Sequence, residues 1–409
     1  MSEPRVVIVG GGHGGGAVAA TLRQYGWKGA IDVFGTEPLA PYQRPPLSKA
    51  WLKGEADAAS LALRPPAFYE KSSITLHLAT TVTAIDRAAK TVATDAGGSF
   101  GYDYLIIATG ARARRLPIPG MELAGVLELR TVADADLLKA ALGPGKRLAV
   151  VGGGYIGLEA AASATALGAT SVVIEREGRV LARVASEALS AAYQVAHRKR
   201  GVVIELAAQV AALEGAHGHV VGVRLGDGRL VPCDVALVGV GAVANVELAG
   251  DAGIDCDQGI VVDANARTSD PAVFAVGDCT WRPLAHYSRH FRLESVPNAL
   301  EQARHAAAAI CGRGPAAPEV PWFWSDQFDL KLQIAGLPFG AVQTVVRGDP
   351  ATESFAVFHL AEDHTLRAVE AVNMPDAFMA GRLIIQKGGQ LAPDKICDMS
   401  ISMKDLVAA

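Results

Sequence analysis

The stretch RVVIVGGGHGGGAVAATL beginning at Arg5 returns as RLAVVGGGYIGLEAAASA beginning at Arg147. Each copy is a short β-branched run, a glycine cluster and an alanine-rich segment, the pattern of a strand, a tight turn and a helix. Each is followed by a second apolar strand that stops at an acid: IDVFGTE closes on Glu37 and SVVIE on Glu175. Glycines in such a turn let the chain reverse, let the backbone approach a pyrophosphate and let helix pack close on strand, while the acid suits a ribose 2′-hydroxyl. A lone glycine-rich turn is weak evidence, because such turns also serve structure alone. Two copies, each with its flanking strand, helix and acid, imply two Rossmann-like dinucleotide-binding folds of α/β class. Gly10, Gly12 and Gly15 fill the glycine positions of the first, and Gly152, Gly154 and Gly157 those of the second.

A chain of 409 residues is too long for one core and fits two or three domains. FGYDYLIIATGA (Phe100–Ala111) and VPCDVALVGVGA (Val231–Ala242) read as strands that close the two nucleotide folds. PAVFAVGDC (Pro271–Cys279) has no counterpart beside the second copy, so the first domain resumes after the second ends. This predicts a first domain over 1–114 and 245–325 with a second, 115–244, inserted in it. From about Asp326 the texture alternates in LKLQIAG, AVFHL and LRAVEAV before a helical PDAFMAGRLIIQ, which predicts a small α+β domain over 326–409. GRGPAAPEVP (Gly312–Pro321) is the linker candidate.

Half the residues are hydrophobic, a fifth are charged and the net charge is −4, which excludes a disordered chain and a polybasic nucleic-acid binder. From Leu148 to Ile174 the only charge is Glu159, long enough to suggest a membrane span, but Gly152, Gly153, Gly154 and Gly157 interrupt it and a strand, turn and helix explain the same residues. The opening MSEPRVVIVGG has no cationic segment before an apolar one, so the expected location is cytoplasmic. The five cysteines, Cys233, Cys256, Cys279, Cys311 and Cys397, are odd in number and never spaced as a metal or redox pair, so free thiols and no metal site are expected.

A carboxylate at Glu175 accepts from a ribose hydroxyl and repels a 2′-phosphate, favouring NAD over NADP, although Arg176 beside it could turn toward a phosphate instead. Two dinucleotide sites in one chain suggest FAD in one and a nicotinamide in the other. PYQRPPLSK (Pro41–Lys49), YLIIATGA (Tyr104–Ala111), GGGYIGLE (Gly152–Glu159), VFAVGDC (Val273–Cys279), ESVPNALEQA (Glu294–Ala303) and WFWSDQ (Trp322–Gln327) resemble the FAD-dependent ferredoxin reductases of bacterial oxygenase and P450 systems. The resemblance spans nearly the whole chain. ATG and GD mark only the wider flavin disulfide-reductase superfamily, whereas RPPLSK, SVPNA and WSDQ in this order belong to the ferredoxin reductase branch.

The resemblance implies that Glu37 holds the FAD adenosine ribose, that Arg44 and Lys49 line the flavin, that Asp278 bonds the ribityl chain and that Val296 approaches the ring. Arg44 as a solvated loop cation and Asp278 as a turn former are the plainer alternatives. Lys49 pairs in that family with a glutamate matching Glu159, which would also accept from the nicotinamide carboxamide; a helix cap is the alternative for Glu159. Trp324 would face the iron–sulfur partner, though both Trp322 and Trp324 could be core aromatics. Ala108 and Gly110 of the ATG turn, Ile156 of the second glycine motif and Gly241 of VGVGA complete the expected cofactor-binding set.

Relatives that work through a disulfide carry a cysteine near the flavin early in the chain; here none precedes Cys233, so electrons must leave the flavin directly. The expected activity is therefore NADH to FAD to a [2Fe–2S] ferredoxin, serving an oxygenase or cytochrome P450 indirectly. The alternatives are a rubredoxin or small-molecule reductase, or a redox-signalling flavoprotein. Arg289, Arg292, Arg304, Lys331 and Lys387 form the basic set expected to dock an acidic partner, with a solvated helix face as the alternative.

Overall fold

The computed structural model describes residues 3–315 and 317–408; residue 316 of the linker candidate lies outside the described residues. The chain divides into two compact units, one from Met1–Gln43, Ala58–Arg112 and Val243–Glu319, the other from Arg44–Asp57, Ala113–Ala242 and Val320–Ala409.

The first unit is built on a five-stranded parallel sheet in the order Val273–Ala275, Tyr104–Ile107, Arg5–Val9, Ala30–Phe34, Ile74–His77. Its strands are largely apolar because both faces are covered, and the one carboxylate within them, the buried Asp32, is bonded to His77 Nε2 at 2.8 Å. Val6 and Ile8 pack with Val18, Leu22, Ala303 and Ala307 of helices His13–Gln24 and Val296–Ile310. Val7 and Val9 pack on the opposite side with Val82 and Val92 of a three-stranded antiparallel sheet. Val273–Ala275 joins the sheet beside Tyr104–Ile107 only after the chain has passed through the other unit, so the first nucleotide fold is split by an insertion.

In the second unit the parallel sheet runs Val203–Glu205, Thr170–Ile174, Arg147–Val151, Val235–Val238, Val126–Leu127. The span from Leu148 to Ile174 is strand, helix Tyr155–Ala166 and strand, and among the described residues no helix is long and apolar enough to cross a membrane. The C-terminal part is a five-stranded antiparallel sheet, Trp322–Gln327, Leu330–Gly336, Leu366–Val372, Ser354–Leu360, Gln343–Asp349, with helix Pro375–Lys387 closing its core through Phe378 and Ile384 against Phe358 and Val369.

That sheet starts at Trp322 rather than near Asp326. WFWSDQ pairs residue by residue with the next strand, from Trp322 opposite Ala335 to Gln327 opposite Leu330, turning at Phe328 and Asp329, where Phe328 sits at φ +54°. No Asn-Gly or Asp-Gly marks the turn, so the residues carry no hairpin signal. Strand Gln343–Asp349 was equally silent, because an edge strand with polar QT and GD ends lacks clean alternation.

Candidate active site

Both glycine turns divide their labour between packing and open space. Gly10 lies at φ +119°, and a Cβ there would stand 2.1 Å from the Ala108 carbonyl oxygen; one on Gly15 would stand 1.9 Å from that of Gly10. Gly12 is the N-cap of helix His13–Gln24, with no side chain bonded to the cap, and a Cβ on it would meet nothing within 4 Å. The amides of the helix start thus open onto a cradle that suits a pyrophosphate.

Of the other residues expected for this site, Glu37, Ala108, Gly110 and Asp278 follow strands at the same carboxyl edge of the sheet, where ligands of such folds bind, whereas Arg44 and Lys49 belong to the second unit. Glu37 follows strand Ala30–Phe34 and accepts the Tyr42 hydroxyl at 2.6 Å. Ala108 and Gly110 (φ +65°) follow Tyr104–Ile107. Asp278 follows Val273–Ala275 in a turn fixed by Gln302, whose Oε1 accepts the Gly277 amide at 2.8 Å and the Thr280 hydroxyl at 3.0 Å. Val296 opens helix Val296–Ile310, half-buried beside the capping Ser295.

The second turn repeats the design. A Cβ on Gly152 or Gly157 would lie 2.5 or 2.4 Å from a backbone oxygen, whereas Gly154, the N-cap of Tyr155–Ala166, has nothing within 4 Å. Glu175 braces this turn: one carboxylate oxygen accepts the Gly153 amide at 2.7 Å, the other the Glu177 amide at 2.9 Å. Arg176 is exposed and its guanidinium is engaged by Glu177 at 2.8 Å. Ile156 and Gly241 lie exposed near this turn and after strand Val235–Val238 respectively.

Also in the second unit, Glu159 projects from helix Tyr155–Ala166 and is only 4 % exposed. Its carboxylate does not cap the helix. Oε2 accepts from Lys49 Nζ at 2.6 Å and the Ser48 hydroxyl at 2.5 Å, and Oε1 accepts the Ser325 hydroxyl at 2.6 Å. A buried carboxylate is tolerable only when paired and hydrogen-bonded in this way. Lys49 also donates to the Pro45 carbonyl at 3.1 Å, Ser163 donates to the Ser48 carbonyl at 2.7 Å, and Arg44 donates to the Arg130 carbonyl at 2.5 Å, which pins the Arg44–Asp57 segment against this unit. Ser48 and Ser325 are the site residues that sequence reasoning missed. They lie inside the RPPLSK and WSDQ motifs, but nothing in those motifs says that either hydroxyl reaches Glu159.

Neighbouring side chains on a strand point to opposite faces, so Trp324 leaves the sheet on the side away from Ser325. It is half-buried and lines a cavity of about 520 Å³ together with Trp322, Lys331, Asn373, Met374 and Pro375. The two indoles lie 5.5 Å apart, and Trp322 packs on toward Phe378 at 5.8 Å, into the core. All five cysteines are free. Burial pushes the thiols of Cys233 and Cys279 up to about 11, the opposite of what a thiolate nucleophile requires.

Two parallel-sheet folds, each with an open glycine cradle at its strand ends, and a lysine paired with a buried glutamate, with the buried thiols of Cys233 and Cys279 held protonated, define a two-nucleotide flavoprotein oxidoreductase. Residues 4–303 match the pyridine nucleotide-disulphide oxidoreductase family and residues 322–407 the reductase C-terminal family. The chain belongs to this oxidoreductase family, in its ferredoxin reductase branch. It is 54 % identical over 406 residues to a probable ferredoxin reductase, CtmF, of Castellaniella defragrans, covering 99 % of both chains. It is 42 % identical over 413 residues to putidaredoxin reductase CamA of Pseudomonas putida, covering 100 % of this chain and 98 % of that one. Among solved structures, the covalent putidaredoxin reductase–putidaredoxin complex matches with a TM-score of 0.97 at 41 % identity, over 100 % of this chain and 99 % of that one. The family's cofactors are FAD and NAD(H), and the residues present fit both: each turn keeps its middle glycine open at a helix start and places an acid beyond its second strand.

Proposed function

We propose that this chain passes electrons from NADH through FAD to a [2Fe–2S] ferredoxin that supplies an oxygenase or cytochrome P450. Residues 1–114 and 245–325 belong to the FAD domain, 115–244 to the NAD domain and 326–409 to the C-terminal α+β domain, whose sheet also takes in strand Trp322–Gln327, and the protein works in the cytoplasm. When bound, FAD would supply the chemistry that accepts a hydride equivalent and gives up its two electrons one at a time, the proton going to solvent. The chain itself binds and orients. Gly10, Gly12 and Gly15 form the pyrophosphate turn, Glu37 takes the adenosine ribose, Ala108, Gly110, Asp278 and Val296 support the rest of the FAD, and Arg44 and Lys49 take flavin-lining roles. Gly152, Gly154, Ile156, Gly157, Glu175 and Gly241 hold the NAD, Glu159 accepts from the nicotinamide carboxamide, and Trp324 serves the acceptor side.

The observation that carries this reading is the pair that Lys49 makes at 2.6 Å with the buried Glu159, whose other oxygen accepts from Ser325. Burial raises the thiols of Cys233 and Cys279, which disfavours a thiolate at either, and on this reading the electrons leave from the flavin. NADH oxidation with a panel of [2Fe–2S] ferredoxins, rubredoxins and ferricyanide tests it. A preference of about tenfold or more for a ferredoxin, worth about 1.4 kcal/mol, is the expected result. Equal rates with rubredoxin or with the small acceptor overturn the partner; a purified protein without flavin absorbance that FAD does not restore overturns the cofactor.

A further inference from the structure

The hydroxyl that meets Glu159 from the C-terminal sheet is the near end of a longer chain of bonds. Ser325 gives its single proton to Glu159 Oε1 at 2.6 Å, and its oxygen meets the Gln327 amide nitrogen at 3.1 Å. Gln327 Oε1 in turn meets His197 Nε2, on helix Glu187–Lys199, at 2.8 Å. Ser325, Gln327 and His197 are all at most 1 % exposed.

The carboxylate end fixes the direction of every bond, because an ionised carboxylate only accepts. Ser325 must donate to it, so Ser325 accepts from the Gln327 NH₂, so the Gln327 carbonyl faces His197, so His197 carries its proton on Nε2. His197 Nδ1 is then the bare nitrogen, and it is the ring atom that lies buried without a partner. An N–H orphaned at that position would cost more than a bare lone pair. Burial lowers His197 to about 4, so the ring is neutral at ordinary pH and can hold this single tautomer. Three donors on one line thus point at Glu159, and they come from two elements far apart in sequence.

We propose that Ser325, Gln327 and His197 form a positioning relay that sets the plane of the Glu159 carboxylate, so that the C-terminal strand Trp322–Gln327 governs the nicotinamide step. The kinetic part rests on the reading that Glu159 serves the nicotinamide; the relay itself does not. Lys49 and Ser48 hold Oε2 alone, which leaves the carboxylate free to rotate about that oxygen unless Ser325 holds Oε1. Misplacing a positioned group by a fraction of a bond length is enough to slow a transfer step.

Two measurements on the full-length protein test it. In ¹⁵N NMR without NADH, His197 is expected as the neutral Nε2–H tautomer from pH 8 to 5.5; an Nδ1–H tautomer or an imidazolium in that range overturns the relay. In stopped-flow, Ser325→Ala should slow flavin reduction by NADH about tenfold with a half-saturating NADH concentration within about twofold of wild type, and Ser325→Thr, which keeps the hydroxyl, should restore the rate. Equal losses in the two variants, or an unchanged rate in Ser325→Ala, overturn the positioning role. If Glu159→Gln leaves flavin reduction unchanged while the His197 tautomer stands, the role of Glu159 at the nicotinamide falls and the positioning role falls with it. The NMR measurement needs no variant to fold.

Discussion

Gly12 and Gly15 stand three residues apart in one turn and are glycine for different reasons. A methyl on Gly15 would sit 1.9 Å from a backbone oxygen that cannot yield, so Gly15→Ala should cost about 3 kcal/mol or prevent folding. Gly12 has φ −86°, comfortable for alanine, and open space around it. Gly12→Ala should leave the stability of the flavin-free protein within about 0.5 kcal/mol and weaken FAD binding at least about tenfold, by intruding where the phosphates approach. Thermal unfolding with and without FAD, together with a flavin titration, separates the two; equal destabilisation of the flavin-free variants would refute the division. Positions of this kind are legible in sequence because a backbone demand repeats at fixed spacing. The bond from Ser325 to Glu159 is not, since it joins residues 166 apart through a common hydroxyl that carries no positional code.

The strand-to-helix turn that ends at Glu175 behaves as one element. Its carboxylate holds the Gly153 and Glu177 amides, and Arg176 is engaged by Glu177. NADH should therefore be preferred over NADPH by an amount on the order of 1–3 kcal/mol. Glu175→Ala should narrow that gap and also lower kcat/KM for NADH, because the brace goes with the charge, whereas Arg176→Ala should leave the ratio within about twofold. Equal kcat/KM for the two nucleotides in the wild type would show that Arg176 is freed to take the phosphate. A second element-level tie, His197 to Gln327, joins helix Glu187–Lys199 to strand Trp322–Gln327. The folded-state value of His197, about 4, lies below its ordinary one of 6.5, so the unfolded chain binds the extra proton first as the pH falls. Its contribution is intact above about 6.5 and is lost toward 4, amounting to about 3 kcal/mol. Urea midpoints at pH 7 and 4.5 should converge between wild type and His197→Gln as the pH drops; parallel losses in both would place the acid sensitivity elsewhere. The alternation in LKLQIAG and LRAVEAV foretold two strands of this sheet, but the strand bearing Ser325 was hidden in an aromatic run whose turn lacks glycine.

On the scale of the whole molecule, the split order of the nucleotide folds could be read from the chain because two glycine turns and an unmatched third strand leave one arrangement. Surface charge could not, because pairing depends on partners that sequence spacing does not reveal. Of the basic residues expected to dock an acidic ferredoxin, Arg292 pairs with Glu294 and Arg304 with Glu319. Reversing Arg304 would set two carboxylates against each other and disturb the fold as much as the docking. Lys331 is the better probe, since it is exposed on the rim of the cavity that Trp324 lines. The protein carries a net charge of −4, so attraction to an acidic partner must come from a local field and should be short in range. Raising the ionic strength past 0.15 M, where the Debye length is about 8 Å, should slow ferredoxin reduction through association while flavin reduction by NADH stays constant. Lys331→Glu should raise KM for ferredoxin about three- to tenfold and flatten the salt dependence, and it should leave ferricyanide reduction unchanged. Equal losses with both acceptors would mean that Lys331 supports the sheet instead, and an absence of any salt effect would mean that the partner is held mainly by the apolar walls of Trp322, Trp324 and Met374.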